Sequence, residues 1–194
     1  MKEIVFATNN VHKLSEVRRM VGDRFKVRSL SEIGCHDDIP ETADTLEGNA
    51  LIKARWVKDK YGYDCFADDT GLMVDALDGA PGVKTARFAG EHCTPDDNVT
   101  KLLEVMRGVT DRNARFSTVI ALILDGRETL MEGTVHGTIT TERLGTDGFG
   151  YDPVFMPEQT GLTFAQMGPD AKNVISHRGR AIARLMEVLN SYGV

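Results

Sequence analysis

The chain has 194 residues, a formal net charge of −6, 41% hydrophobic and 27% charged residues; this is the scale of one domain, 1–194, at most two-lobed, around a sizeable core. The acidic balance argues against a generic nucleic-acid or anionic-membrane binder, which would normally be basic. No run approaches the roughly 18 apolar residues of a membrane span, no secretory signal is visible, and the three scattered cysteines read as free thiols, so a cytoplasmic protein is expected.

KEIVFAT (2–8) reads as a buried strand, and the helix after it, from near Asn10, carries Leu14, Val17 and Val21 at helical spacing. FKVRSL (25–30) is a second strand. Leu46, Ala50, Ala54, Val57 and Tyr61 then form the apolar stripe of a long helix that Gly62 ends. CFADDTGLMVDAL (65–77) predicts strand, turn, strand, followed by a glycine-rich loop at 79–90. Thr94 and Pro95 cap a helix reaching Met106. Two β-rich runs joined by Asp125-Gly126 give the clearest hairpin signal. A glycine-rich stretch, a loop and a last helix over 176–191, with Ile182, Leu185, Met186 and Leu189 inward, complete a mixed α/β sheet protein. Cys35–His36 and His92–Cys93 lack zinc-finger spacing.

Three stretches carry chemistry. TNNVHK (8–13) is a strand-to-helix turn, either an anion site served by backbone N–H groups and Lys13 or a plain helix cap at Thr8 or Asn10. In ADDTGL (67–72), Asp68 and Asp69 lie between apolar strands, a costly place for carboxylates without a partner. Oxygen ligands alone suit Mg²⁺, with Glu41 or Glu47 completing the shell; the alternative is a turn in which Asp69 makes an Asx bond before Gly71. In AKNVISHRGRA (171–181), Ser176 reads as an N-cap, which puts His177 and Arg178 in a first helical turn, against the dipole, with Lys172 just before. The stretch GTDGFGYDPVF (145–155) sets bare backbone beside Phe149 and Tyr151, as a planar ligand needs; the other reading is a tight loop whose rings plug the core. Phosphate donors, a metal seat and ring faces together describe a nucleoside triphosphate site.

T-x-N-x-x-K, A-D-D-[ST]-G-L, G-A-P-G-V-x-[ST]-A-R-[FY], G-F-G-Y-D-P-[VI]-F and K-N-x-x-S-H-R-G-x-A occur here in that order. Together they resemble the inosine/xanthosine triphosphate pyrophosphatase family. The resemblance spans essentially the whole chain. It implies an elongated mixed sheet flanked by helices, two lobes with a central nucleotide-binding cleft, a homodimer, and Mg²⁺-dependent hydrolysis of ITP, dITP and XTP to the monophosphate and pyrophosphate. By the same resemblance, Thr8, Asn9 (a glycine in many relatives), Asn10 and Lys13 bind the triphosphate. Asp69 is general base and metal ligand, joined on the metal by an upstream glutamate, for which Glu41 is chosen and Glu47 stays open; the reading of the residues themselves adds Asp68 to the metal seat. Thr70 contacts substrate with the hydroxyl that many relatives supply from serine. Phe149, Gly150, Tyr151 and Asp152 form the base site, and Lys172, His177 and Arg178 close over the base, with Arg178 and Lys172 reading its 6-oxo group. A non-catalytic nucleotide sensor and a phosphatase releasing orthophosphate are the competing functions.

Overall fold

The structure, a computed structural model, describes residues 2–192. Its strands are β1 (Lys2–Phe6), β2 (Phe25–Arg28), β3 (Cys65–Val74), β4 (Pro81–Gly82), β5 (Asn113–Leu124), β6 (Arg127–Ile139) and β7 (Phe155–Pro157). Its helices are α1 (Val11–Val21), α2 (Leu46–Tyr61), α3 (Pro95–Val105), α4 (Pro169–Ile175) and α5 (His177–Ser191). The hydrogen-bonded order is β2-β1-β3-β5-β6-β7, with β4 paired to β3. β1 runs parallel to both β2 and β3, whereas β4 on β3 and β7 on β6 are antiparallel, so the fold is mixed α/β.

Local chemistry accounts for most boundaries. Asn10 caps α1 through His12 N and Lys13 N. Thr45 caps α2, which Gly62 closes in the left-handed region at φ 77°. Thr94 and Asp97 form a reciprocal capping box at α3, with Pro95 in its first turn. Asp125 and Gly126 both take positive φ, 49° and 77°, as the two-residue turn of a right-twisted hairpin requires.

Two expectations fail. ADDTGL contains no turn: β3 runs unbroken through Gly71, and Leu72 N is satisfied by Thr85 Oγ1 at 2.9 Å. Ladder pairing together with near-complete burial outweighs the local turn preference of Asp-Thr-Gly. The expected loop before the last helix contains α4, a seven-residue helix that carries Lys172 and starts on Pro169. Ser176, extended at φ −67° and ψ 157°, breaks the chain between α4 and α5.

The chain divides into two compact units. The first comprises residues 1–69, 118–133 and 178–194. Its core sets Ile4 and Phe6 of β1, Phe66 of β3 and Ile120, Leu122 and Leu124 of β5 against Val17 and Val21 of α1 and Ile182, Leu185 and Leu189 of α5. The second comprises residues 70–117 and 134–177. Its core joins Leu72, Val74, Phe116, Val135 and Ile139 to Val99 and Leu102 of α3 and to Tyr151, Phe155 and Phe164.

Candidate active site

In the first unit, strand alternation sends neighbouring side chains of β3 to opposite faces. Phe66 belongs to the core shared with α1 and α5, while the Cys65 thiol donates to Ala54 O of α2. Asp68 shares parity with Phe66, and Asp69 with Cys65. The two adjacent aspartates therefore serve different helices.

Asp68 is 2% exposed. Its Oδ1 accepts from Lys13 Nζ at 3.1 Å, and its Oδ2 lies 3.5 Å from Arg178 Nε. Burial works against its charge, but Lys13, Arg178 and Lys53 prevail and hold the carboxyl well below the usual aspartate range. Glu16 of α1 takes the other end of Arg178, Oε2 to Nη1 at 2.5 Å. Burial, with Lys53 and Arg178, pushes the Lys13 ammonium down against the pull of Asp68. Both oxygens of Asp68 thus face cations, and it anchors Lys13 and Arg178.

On the other face Asn49, fully buried in α2, donates to Asp69 Oδ2 at 3.1 Å and accepts from Ala43 N at 2.9 Å. Lys53, one turn on, reaches Glu41 Oε1 at 3.0 Å. Burial opposes the Lys53 charge, but Asp68, Glu41 and Asp69 raise its pKa above the ordinary lysine value. Asp69 itself is buried, which raises its carboxyl; Lys53 pulls it back, Glu41 pushes it further, and the result is about 6. Glu47, the other upstream glutamate, is exposed in the first turn of α2. Among the described residues no cluster of three metal-binding side chains occurs. Two carboxylates, Glu41 and Asp69, nevertheless fit Mg²⁺, which commonly takes one or two carboxylates and completes its shell with water and substrate phosphate.

The phosphate turn is partly committed. Asn10 Oδ1 takes the amides of His12 and Lys13, and Asn9 Oδ1 takes Ser31 N at 3.0 Å. The capping reading of Asn10 is therefore correct, and two of the N–H groups at this helix end, those of His12 and Lys13, are taken by it. Thr8 Oγ1 accepts from Asn10 N, and Thr70 is the first residue of the second unit.

In the second unit, Asp152 organises the glycine-rich stretch. Its buried Oδ2 accepts from Phe149 N at 2.9 Å and from Lys172 Nζ at 2.8 Å. Gly148 makes room for it: a Cβ there would lie 2.0 Å from the same oxygen, at a backbone φ of 74°. Lys172 Nζ sits 4.8 Å from the centroid of the half-buried Phe149 ring and 5.9 Å from that of Phe164. Gly150 follows at φ 60°. Tyr151 packs in the core of this unit. Its hydroxyl donates to Thr85 O at 2.6 Å and its ring packs edge-on to Phe116, so only Phe149 of the pair offers a ring to a ligand. The His177 ring stacks on Phe116 at 4.6 Å. Arg178 and Lys172, expected together against one group, keep different company: Asp68 and Glu16 for the first, Asp152 and Phe149 for the second.

Sequence reasoning passed over Glu16, Asn49 and Lys53. The last two had a signal. Leu46, Asn49, Ala50, Lys53, Ala54 and Val57 make one buried helical face, in which an amide and an ammonium interrupt an apolar stripe.

The family model described as the Ham1 family matches residues 4–188. A relative from Porphyromonas gingivalis, named dITP/XTP pyrophosphatase, is 55% identical over 190 residues, 97% of this chain and 98% of its own. One of the same name from Flavobacterium johnsoniae is 50% identical over 189 residues, again 97% and 98%. The solved structure of a HAM1 protein from Coxiella burnetii superposes with a TM-score of 0.90 at 38% identity, covering 98% of this chain and all (100%) of that one.

Proposed function

The chain belongs to the Ham1 family, and from that premise we propose that it is a nucleoside-triphosphate pyrophosphatase that hydrolyses deaminated purine nucleotides, dITP, ITP and XTP, to the monophosphate and pyrophosphate. The observation that carries this reading is the buried Asp69 carboxylate, held by Asn49 and set among Lys53 and Glu41. A carboxylate so positioned can take a proton from a water within hydrogen-bond reach. The names of the relatives support the choice of substrate.

Asp69 accepts the proton of a water whose oxygen attacks the α-phosphorus. The α–β bridging P–O bond breaks, and its electron pair leaves with pyrophosphate. Glu41 and Asp69 would hold Mg²⁺, which when bound offsets phosphate charge. Lys13 and Arg178, prepaid in position by Asp68 and Glu16, meet the anionic phosphates as charge-assisted donors, beside the Thr8–Lys13 turn. In the second unit, Phe149 stacks on the purine and Lys172 presents its ammonium to the 6-oxo group. The 6-amino group of adenine would set donor against donor there, a mismatch that rejects strongly. Thr70, Gly150, Asp152 and His177 complete the substrate-binding set, Asp152 by holding Lys172. The protein works as a cytoplasmic homodimer on the same reading, supported by the resemblance and by three free thiols.

The deciding assay offers dITP, ITP, XTP, GTP and ATP with Mg²⁺ and identifies the products. Pyrophosphate from the first three, with GTP and ATP at least tenfold less efficient, is expected on the scale of pocket discrimination of 10-fold and more. Orthophosphate as the product would make it a phosphatase, and binding without turnover would make it a sensor.

A further inference from the structure

Residues 35–43 bring Glu41 to Asp69 without forming helix or strand, so no ladder of their own fixes them. One face of α2 does. Asp37 Oδ2 accepts from Trp56 Nε1 at 3.0 Å, Lys60 Nζ at 2.7 Å, Tyr61 OH at 3.1 Å and Cys35 Sγ at 3.6 Å. Further along, Glu41 meets Lys53, and Ala43 N meets Asn49. Partners 49, 53, 56 and 60 are spaced four, three and four apart, which is one helix face. The segment runs along it in reverse, Asp37 against the far end and Ala43 against the near one.

The lengths match closely. From 49 to 60 the helix advances about 16 Å at 1.5 Å per residue, and six extended residues from 37 to 43 reach about 20 Å. The strap has little slack. Pro40 fixes its own φ and biases Ile39 to an extended conformation, stiffening the link between Asp37 and Glu41. One carboxylate oxygen gathering four donors is a strong anchor only while it is charged.

We propose that Asp37 is a positioning residue for the divalent-cation seat: by tying the 35–43 strap to α2 through Trp56, Lys60 and Tyr61, it sets the place of Glu41 beside Asp69. This rests on the reading that Glu41 and Asp69 hold Mg²⁺, and the test separates the two. Mn²⁺ affinity is measured by electron paramagnetic resonance with a non-hydrolysable triphosphate analogue bound, alongside the Mg²⁺ dependence of dITP hydrolysis. Asp37→Asn, Glu41→Gln and the double variant are compared with wild type, and emission from Trp56, the sole tryptophan, reports whether the anchor has been released.

Asp37→Asn should weaken Mn²⁺ binding and raise the half-activating Mg²⁺ concentration about tenfold, the lower end of what outer-shell substitutions cost a metal site. The kcat at saturating Mg²⁺ should stay within about threefold. In the Glu41→Gln background, the added Asp37→Asn should change Mn²⁺ affinity no further, because the anchor acts through Glu41. If Glu41→Gln weakens Mn²⁺ and Asp37→Asn does not, or if the two effects simply add, the inference is overturned while the Mg²⁺ reading stands. If Glu41→Gln leaves Mn²⁺ affinity unchanged, the reading beneath it has failed. Should Asp37→Asn not fold, Trp56→Phe deletes one of the four donors; about a threefold weakening is expected from one lost hydrogen bond, and unaltered affinity overturns the proposal.

Discussion

Replacing Asp69 with asparagine should lower activity and raise stability, and both effects come from the same burial. In the folded chain the carboxyl is shifted from the 3.8 of a free aspartate to about 6. A raised acid favours the fold below its unfolded pKa and loses that advantage as pH rises through the folded value. Between pH 4 and 6 the unfolded chain ionises first, and the wild type loses about 1.4 kcal/mol per pH unit relative to a variant with no charge at this position. Over the 2.2 units between 3.8 and 6 that comes to about 3 kcal/mol. Asparagine keeps an oxygen for the Asn49 amide, and Lys53 keeps Glu41, so about 1–3 kcal/mol should survive as net stabilisation of the metal-free protein. The assay is denaturant unfolding in EDTA at pH 4 and pH 8 for both proteins. The difference in unfolding free energy should be small at pH 4 and favour the variant at pH 8; a parallel thermal melt should show it as about 2–4 °C in Tm per kcal/mol for a chain of this size. Turnover should fall by about 10²–10⁴, the usual scale of a general base. A variant no more stable than wild type at pH 8 would refute the electrostatic reasoning, and near-normal turnover would refute the base.

Lys13→Ala should raise KM for every triphosphate and leave the ratio of ITP to GTP efficiency unchanged, since all share the phosphates; a changed ratio would mean that Lys13 reads the base. Asp152→Ala strands the buried Lys172 ammonium and should cost about 3–5 kcal/mol in urea unfolding, as breaking a buried pair does; a loss under about 1 kcal/mol would show the pair to be well hydrated. Phe149→Ala should lower efficiency on ITP, XTP, GTP and ATP in parallel, because stacking reads no base edge; selective loss on one of them would give the ring a different role.

The parts of the fold legible in the sequence are those fixed by residues close together. Thr94-Pro95 with Asp97 starts α3, Gly62 ends α2, and Asp125-Gly126 turns β5 into β6 because each requirement is met within a few residues. What stayed hidden depends on long-range partners. Asp-Thr-Gly at 69–71 carries a turn signature, and only pairing plus the distant Thr85 hydroxyl shows that β3 continues. Glu41 and Glu47 flank the same helix start, and it is Lys53 that separates them. His177 and Arg178 are neighbours in sequence, yet about 100° apart around α5 at 3.6 residues per turn. One packs on Phe116 while the other joins Asp68 and Glu16.

The adjacent aspartates explain why ADDTGL must be a strand rather than a turn. A turn would bring both carboxylates to one side, where like charges share the same counter-ions and shift together. On β3 the pleat separates them. Asp68 receives Lys13 and Arg178 and stays ionised, so it can hold two cations in place without becoming a base itself. Asp69 meets an amide, a lysine and a second carboxylate, and its pKa climbs towards the pH at which a proton can be taken up and given back. Environments that push two like groups apart assign them different roles. Here that separation follows from a two-residue period in the backbone. Shifting the register of β3 by one residue would move one aspartate into the other's place and bring Ala67 or Thr70 to the place left over, so that either Lys13 loses its anchor or the site loses its base.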